Sequence, residues 1–294
     1  MTRHIGFIGL GIMGGAITKN LLEAGYQING YDVDEVAKQR FVSHGGFLAL
    51  SPMHVAQEVE TIFTSLPTEN ALIEVIDGPS GITKSGKKNI IVEISTMPID
   101  LKLELEKKLS AVGQFFMDCP VSGTGAQAVS KDLIVFASGH PEAYEKIKDI
   151  FHSMSKAQYF LGEFGNGSKM KFLANILVAI HNVAAAEVFA LAGKAGINLQ
   201  DAYEVLKDSA GASKMFQIRG PMMVANDYAQ PTAKIENYMK DLSIISKFAA
   251  NLKCPTPLYD VTNQLYYAAL NQGMGQEDLA AVCKVMEKMA GVSR

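Results

Sequence analysis

Near its start the chain reads Ile5-Gly6-Phe7-Ile8-Gly9-Leu10-Gly11-Ile12-Met13-Gly14. An apolar run ends in a Gly-x-Gly-x-x-Gly loop, and a helical pattern (Ala16, Ile17, Leu21, Leu22) follows at once and closes at Gly25. A second apolar run, Gln27 to Tyr31, delivers Asp32. Strand, glycine loop, helix, strand and acid within about thirty residues are what a dinucleotide fingerprint requires. Gly9 permits the tight turn, Gly11 lets backbone approach a pyrophosphate, and Gly14 lets helix pack on strand, with Ile12 and Met13 inside the same loop. The helix N-terminus offers free N–H groups and the positive end of its dipole to phosphate. A carboxylate at Asp32 can accept from both ribose hydroxyls. A 2′-phosphate would face its charge, and Val33 and Asp34 follow where an Arg would be needed, so NAD is expected over NADP.

The alternation continues. Ser51 to Glu58 reads as a helix with Ser51-Pro52 as cap and first turn. Thr61 to Ser65 is a strand ending in Leu66-Pro67-Thr68, followed by a helix from Glu69 to Ile76. Asn89 to Ile94 is a strand ending in Ser95-Thr96, with Pro98 opening a helix over Ile99 to Val112. Phe115 to Asp118 is a strand running into Cys119-Pro120-Val121-Ser122-Gly123-Thr124-Gly125; Leu133 to Ala137 and Gln158 to Leu161 are further strands, with a helix from Pro141 to Phe151 between them. Such an order implies an α/β domain with a mainly parallel, doubly wound sheet of Rossmann type. Ligands in these sheets bind beyond the carboxyl ends of the strands, so Leu66-Pro67, Ser95-Thr96 and Ser122-Gly123 are expected to share a crevice with the glycine loop.

After Gly165 no strand pattern remains. Gly165-Asn166-Gly167 opens a long helix, about 167–194 and nearly all apolar, expected to be buried nearly all round. Lys171 and Asn175, four apart, share one face of its first turns. They place an ammonium and an amide in an apolar wall; the alternative is a snorkelling Lys beside a satisfied core amide. Helical segments follow around Leu199–Ser209, Met215–Val224, Ala233–Leu252, Thr256–Gln272 and Asp278–Met289, separated by Gly211, Gly220, Asn226, Pro231, Pro255 and Gly273. The organisation is therefore a dinucleotide-binding domain, residues 1–164, and an all-helical substrate and oligomerisation domain, residues 165–294, joined by the long helix with a cleft between them.

Composition bounds the function. The 294 residues are 48% hydrophobic, ample for two cores. A net charge of −3 gives no footprint for nucleic acid. Three cysteines (Cys119, Cys254, Cys283) cannot all pair and form no metal-ligand pattern, which suits a reducing, cytoplasmic compartment. Met1-Thr2-Arg3-His4 leads directly into a strand, leaving no room for a signal peptide. Every apolar run of membrane-spanning length is interrupted by Asn, Glu or Lys, so no membrane is expected. Met clusters, His181 and the charge run Glu104 to Lys108 read as core filler, a core or interface histidine, and a solvated helix face. Cys119 reads as a buried, inert thiol.

A nicotinamide held by the first domain needs a proton donor beside the carbon that exchanges hydride. A Lys at the base of the cleft suits this, because burial lowers its pKa toward the working range. With these residues the chain resembles the β-hydroxyacid dehydrogenase family, which includes 3-hydroxyisobutyrate dehydrogenases and tartronate semialdehyde reductases. The resemblance runs end to end. It is carried by Phe7 to Gly14, by Asp-x-Pro-Val-Ser-Gly at Asp118 to Gly123, by Gly-x-Gly-x-x-x-Lys at Gly165 to Lys171, and by Lys240-Asp241-Leu242. It implies that Lys171 is the catalytic acid/base with Asn175 its neighbour. It also implies that Ser122 and Gly123, with Thr124 beside them, bind a substrate carboxylate, and that Leu66, Pro67, Thr96 and Lys240 contact NAD. Family members form homodimers or homotetramers through the helical domain.

Three stretches depart from the family's pattern: Ala174 replaces the first of two common Asn, the loop reads Ser122-Gly123-Thr124 rather than Ser-Gly-Gly, and Gly211 to Phe216 lacks the usual Trp. They leave the substrate open among 3-hydroxyisobutyrate, 3-hydroxypropionate, tartronate semialdehyde, succinic semialdehyde and serine. The expected activity is NAD-linked interconversion of a small β-hydroxyacid and its semialdehyde. An oxidative decarboxylase of the 6-phosphogluconate dehydrogenase type is the alternative, with only Lys214 and Arg219 to hold a phosphate. Imine reductases typically lack the Lys, and a non-catalytic dinucleotide-binding scaffold would have lost it.

Overall fold

The N-terminal apolar run becomes β1 (His4–Ile8), and the glycine loop leads into α1 (Ile12–Glu23) and β2 (Gln27–Tyr31). The structure, a computed structural model, describes residues 3–294; Met1 and Thr2, on which the reading of the N-terminus partly rested, lie outside the described residues. The chain forms two compact units, Met1–Lys171 and Phe172–Arg294.

In the first unit α2 (Glu35–Ser43), β3 (Phe47–Leu48), α3 (Pro52–Glu58), β4 (Thr61–Thr64), α4 (Glu69–Asp77), β5 (Ile90–Glu93), α5 (Ile99–Ala111) and β6 (Phe115–Asp118) complete a six-stranded parallel sheet. Its order is β3-β2-β1-β4-β5-β6. The order reverses between β1 and β4, so the glycine loop opens at a topological switch point, where doubly wound sheets bind ligands. Alternate residues of the central strands feed two different cores. Phe7, Phe63, Val92 and Met117 join the helices on one face, and Ile8, Ile62, Ile91 and Phe116 those on the other. That is why these strands read as continuous apolar runs and not as alternation.

Gly14 shows why the fingerprint needs its last glycine: a Cβ there would lie 1.9 Å from the Gly9 carbonyl oxygen. The sequence left residues 33–50 without elements. They hold α2, capped by Asp34 accepting from the Val36 N–H, and the two-residue β3, exposed at both positions.

One expectation needs correction. The strands over Leu133–Ala137 and Gln158–Leu161 do not extend the parallel sheet. With α6 (Gly125–Val129) and α7 (Pro141–His152) between them, β7 (Val121–Ser122), β8 (Ile134–Ala137) and β9 (Ala157–Phe160) form a second sheet, β7-β8-β9. β7 runs antiparallel to β8, and β9 parallel to it. Pro120 follows β6 and has no N–H for a continuing ladder. The chain turns there, and the Phe136 N–H is taken by the Pro120 carbonyl at 3.0 Å.

α8 (Asn166–Lys194) opens at the end of the first unit and runs into the second. The second unit adds α9 (Leu199–Leu206), α10 (Lys214–Ala225), α11 (Ile235–Asn251), α12 (Pro257–Asn271) and α13 (Val282–Ala290), and among its described residues has no strand beyond an isolated Lys234–Asp278 bridge. Gly220, expected to separate helices, lies inside α10, where the Tyr203 ring packs against its bare face. By length and composition α8 is long and apolar enough to cross a membrane, though Asn175, Asn182 and Glu187 interrupt it, and 44% of its most apolar window is buried. It is not buried nearly all round, as its composition suggested: Leu173, Leu177, Val188 and Leu191 are exposed, and its other face packs within the protein. Phe172 meets Phe248 edge-on, Phe189 stacks on Phe216, and the polar interruptions Asn175 and Asn182 are buried with partners.

Candidate active site

The switch point is a groove of about 770 Å³, large enough for a cofactor-sized ligand. Gly9, Gly11, Ile12, Met13, Asp32, Leu66 and Pro67 all line it, so most of the expected cofactor residues of the first unit converge there. Gly11 has open space where a Cβ would be, and no side chain caps α1, so its first N–H groups are left for phosphate. Gly14 lies beneath, at the helix–strand contact.

Asp32 is half-buried at the end of β2. Its Oδ2 accepts from the Leu10 N–H at 2.6 Å and its Oδ1 from the Asp34 N–H at 2.9 Å. These bonds hold the carboxylate on the groove wall, and each oxygen retains capacity for a further donor. Arg40 Nη2 donates to the Leu10 carbonyl at 2.8 Å, bracing the glycine loop from α2.

The next two loops are tied together: the Leu66 N–H donates to Ser95 Oγ at 2.8 Å, with Thr96 one residue on. Ser122 closes β7, and Gly123 follows with φ +139°. The Ser122–Gly125 turn reaches the glycine loop, since a Cβ on Gly125 would strike Ile12 Cγ2 at 2.5 Å, but it does not line the groove. Thr124 is engaged already. It caps α6 in a capping box, its N–H donating to Gln127 Oε1 at 3.0 Å while its hydroxyl accepts from the Gln127 N–H at 3.4 Å.

The start of α8 is set into the strand ends of the first unit. A Cβ on Gly167 would lie 2.3 Å from the Phe136 carbonyl and 2.5 Å from that of Asp118, so the second glycine of Gly-x-Gly is there for close approach. Asp118 is fully buried; its Oδ2 accepts the Ser168 N–H and its Oδ1 the Ser168 hydroxyl, each at 2.7 Å. Lys171 stands three residues further on, half-buried. Asn175, one turn later on the same face, is 5% exposed. Its Nδ2 donates to Asp241 Oδ2 at 3.0 Å, and its carbonyl accepts from Tyr238 Oη at 2.9 Å. Lys240 lies on α11, its Nζ 3.7 Å from Asp241 Oδ1.

Residues 4–162 match the family described as the NAD binding domain of 6-phosphogluconate dehydrogenase, and residues 165–286 the one described as the NAD-binding domain of NADP-dependent 3-hydroxyisobutyrate dehydrogenase. The chain is 32% identical to the L-threonate dehydrogenase of Cupriavidus necator, over 97% of this chain and 96% of the relative. It is 32% identical to that of Haemophilus influenzae, over 98% and 96%. The crystal structure of 3-hydroxyisobutyrate dehydrogenase from Salmonella typhimurium superposes with a TM-score of 0.85 at 30% identity, covering 96% of this chain and 99% of that one. The chain belongs to the β-hydroxyacid dehydrogenase family.

As a β-hydroxyacid dehydrogenase it is an oxidoreductase that binds a nicotinamide dinucleotide. The decarboxylase alternative is not favoured, and Arg219 weakens it further. Its guanidinium is enclosed, with Nε on Asp278 Oδ1 at 2.9 Å, and is not offered to a phosphate. Cys119 is a buried thiol whose pKa is pushed up, by burial first and then by the Asp118 charge beside it. Two residues around the site were missed in the sequence. Asp241 was visible within Lys240-Asp241-Leu242, but nothing local pairs it with Asn175. Lys102 was not singled out in the sequence, two residues before a charge run read as a solvated helix face, and it is fully buried.

Proposed function

We propose that this enzyme uses NAD to interconvert a small hydroxyacid and its carbonyl counterpart, with Lys171 as acid/base and Asn175 holding the reacting oxygen. The observation that carries this is the placement of Lys171 one turn beyond Ser168, whose main chain and hydroxyl are fastened to Asp118 at the strand ends. Those are the ends beyond which a doubly wound sheet holds its ligand.

The nicotinamide, when bound, supplies the hydride acceptor for oxidation and the donor for reduction. Lys171, as the amine, takes the proton from the substrate hydroxyl; as the ammonium, it returns a proton to the carbonyl oxygen. Asn175, its Nδ2 held by Asp241, orients that oxygen. Ser122 and Gly123 are the proposed carboxylate binders. Thr124 shapes their turn through its capping box and is not itself a free ligand. Thr96 and Lys240 are proposed as further cofactor contacts.

Residues 1–164 would bind the dinucleotide and 165–294 carry substrate recognition and self-association. NAD is proposed over NADP because the carboxylate of Asp32 lines the groove, although one matched family is described as NADP-dependent. Homo-oligomerisation through the helical unit is supported by a band of exposed apolar side chains, including Leu191 (68%) and Val205 (71%), around an apolar cavity of about 590 Å³. Three free thiols support a cytoplasmic setting. Because both relatives described above are named for L-threonate, that acid heads the substrate panel, ahead of 3-hydroxyisobutyrate, 3-hydroxypropionate and serine.

The test is NADH formation from this panel with NAD and NADP in parallel. Lys171→Ala is expected to lower kcat by about 10²–10⁴-fold with NADH binding intact; near-wild-type turnover would remove Lys171 from the chemistry. Asp32→Ala combined with Val33→Arg is expected to shift preference toward NADP, and unchanged selectivity would overturn the role of Asp32.

A further inference from the structure

Lys102 takes no part in the chemistry above, yet its ammonium is wholly enclosed. Nζ donates to the Ser95 carbonyl at 2.9 Å and to Asp118 Oδ1 at 2.7 Å, both partners having 0% side-chain exposure in the Lys102–Asp118 pair. A buried ion pair is a weak device for stability, since apolar residues of the same volume often serve as well. The position of this one is informative because its two acceptors lead in different directions.

From Ser95 the bonds run toward the dinucleotide groove. Ser95 Oγ accepts the N–H of Leu66, a groove-lining residue, and the Ser95 N–H donates to Glu93 Oε1 at 2.6 Å. The other Glu93 oxygen accepts from the Thr64 hydroxyl at the end of β4. From Asp118 the bonds run to α8: both carboxylate oxygens hold Ser168, and Ser138 Oγ, itself bonded to the Asp118 carbonyl, takes the Gly167 N–H at 2.9 Å. Lys171 lies on the next turn. All of these residues belong to the first unit.

We propose that Lys102 is a positioning residue whose one ammonium couples the Leu66–Ser95 loops of the cofactor groove to the helix turn that presents Lys171. The proposal rests on the acid/base role of Lys171 for its effect on turnover, but not for the coupling itself. A tetrahedral ammonium can divide its donors between a backbone carbonyl and a carboxylate that diverge from it. A methionine would fill the same volume and disconnect the two arms.

The test reads each arm from the far end in the full-length protein. NADH affinity is measured without substrate, and amide hydrogen exchange is followed over residues 165–172. Ser95→Ala removes the Leu66 anchor and is expected to weaken NADH binding about 3- to 10-fold; through Lys102 it should also speed exchange at the start of α8. Ser168→Ala should speed that exchange, weaken NADH binding about 2- to 3-fold from the far side, and lower kcat about tenfold with substrate KM little changed. Ser168→Thr, which keeps the hydroxyl, should restore kcat. In a Lys102→Met background both far-end effects should vanish. Because Lys102→Met strips Asp118 of its counterion and can prevent folding, the single variants decide alone if it does. Absence of any far-end effect in both Ser95→Ala and Ser168→Ala overturns the coupling, as does their persistence in folded Lys102→Met. If no hydroxyacid is turned over, or Lys171→Ala stays active, the reading of the chemistry fails, and NADH affinity and exchange still decide Lys102.

Discussion

Two fully enclosed ion pairs, Lys102–Asp118 in the first unit and Arg219–Asp278 in the second, have nearly the same chemistry and different surroundings. Asp278 accepts from Arg219 Nε, from the Thr232 N–H at 2.7 Å and hydroxyl at 2.8 Å, from the Ala233 N–H at 3.2 Å and from the Ala280 N–H at 3.0 Å. Burial works to raise its pKa, but the Arg219 charge and these donors outweigh it, and the carboxyl sits below its ordinary range. Arg219 also reaches Asn182 on α8. The segments around residues 232 and 279 of the helical unit meet only at the isolated Lys234–Asp278 bridge, and the Asp278 carboxylate takes the neighbouring N–H groups of Thr232, Ala233 and Ala280. In the first unit the sheet already organises the strands. The acceptors of Lys102 lie at their carboxyl ends, where the loops of the groove and the start of α8 meet. A buried charge is structural where it replaces missing backbone partners, and points toward a site where it joins segments that the sheet leaves apart.

The comparison can be broken most severely at Arg219. Arg219→Met leaves Asp278 buried without its cation and is expected to cost about 3–5 kcal/mol, read as a lower denaturant midpoint. Turnover per folded molecule should remain, because nothing places Arg219 in the chemistry; a selective loss of kcat would make the two pairs alike. Gly167→Ala should cost less, about 1–3 kcal/mol, since a Cβ pressed against the Phe136 and Asp118 carbonyls must push the helix start outward. Unlike Arg219→Met, it should also lower kcat, by about tenfold or more.

The smallest effect is expected at a solvent-facing cluster. Lys108 first, then Lys84, hydrogen-bond Asp77 and hold its carboxyl down at about 2. The two lysine side chains are 40% and 49% exposed, so solvent screening leaves the cluster only a small contribution to stability. With a folded pKa below the ~3.9 of an unfolded Asp, the contribution is complete above that value and is lost as pH falls toward 2. Asp77→Asn should therefore lower stability slightly at pH 7 and not at pH 2; an equal loss at both would mean that packing, not charge, is responsible.

The fingerprint was legible because each part has a local cause: Gly9 turns, Gly11 stays open, Gly14 admits the strand, and Asp32 follows β2 onto the groove wall. That Lys171 and Asn175 lie on one face of α8 was legible from helical spacing; the roles proposed for them come from the family resemblance. The capping box at Thr124 was in principle readable, as Thr124 and Gln127 stand three apart, but the loop was read for its resemblance and not for its cap. Lys102 was hidden in a helix that also carries Glu104, Glu106, Lys107 and Lys108, where composition argues for solvent. Only its place on the face of α5 turned toward Asp118 distinguishes it. The second sheet was hidden for a similar reason, because an apolar run of four residues does not say which strand it will pair with.

By itself the sequence determined the α/β order, the glycine loop between β1 and α1, the helical second half and the shared helix face of Lys171 and Asn175, all of which follow from periodicity and spacing within a few turns of chain. Tertiary structure alone decided that β7, β8 and β9 form their own sheet, that Asn175 leans on Asp241, and that Lys102 and Arg219 are buried. These depend on partners dozens of residues away, and a buried charge is settled by the groups that fold around it.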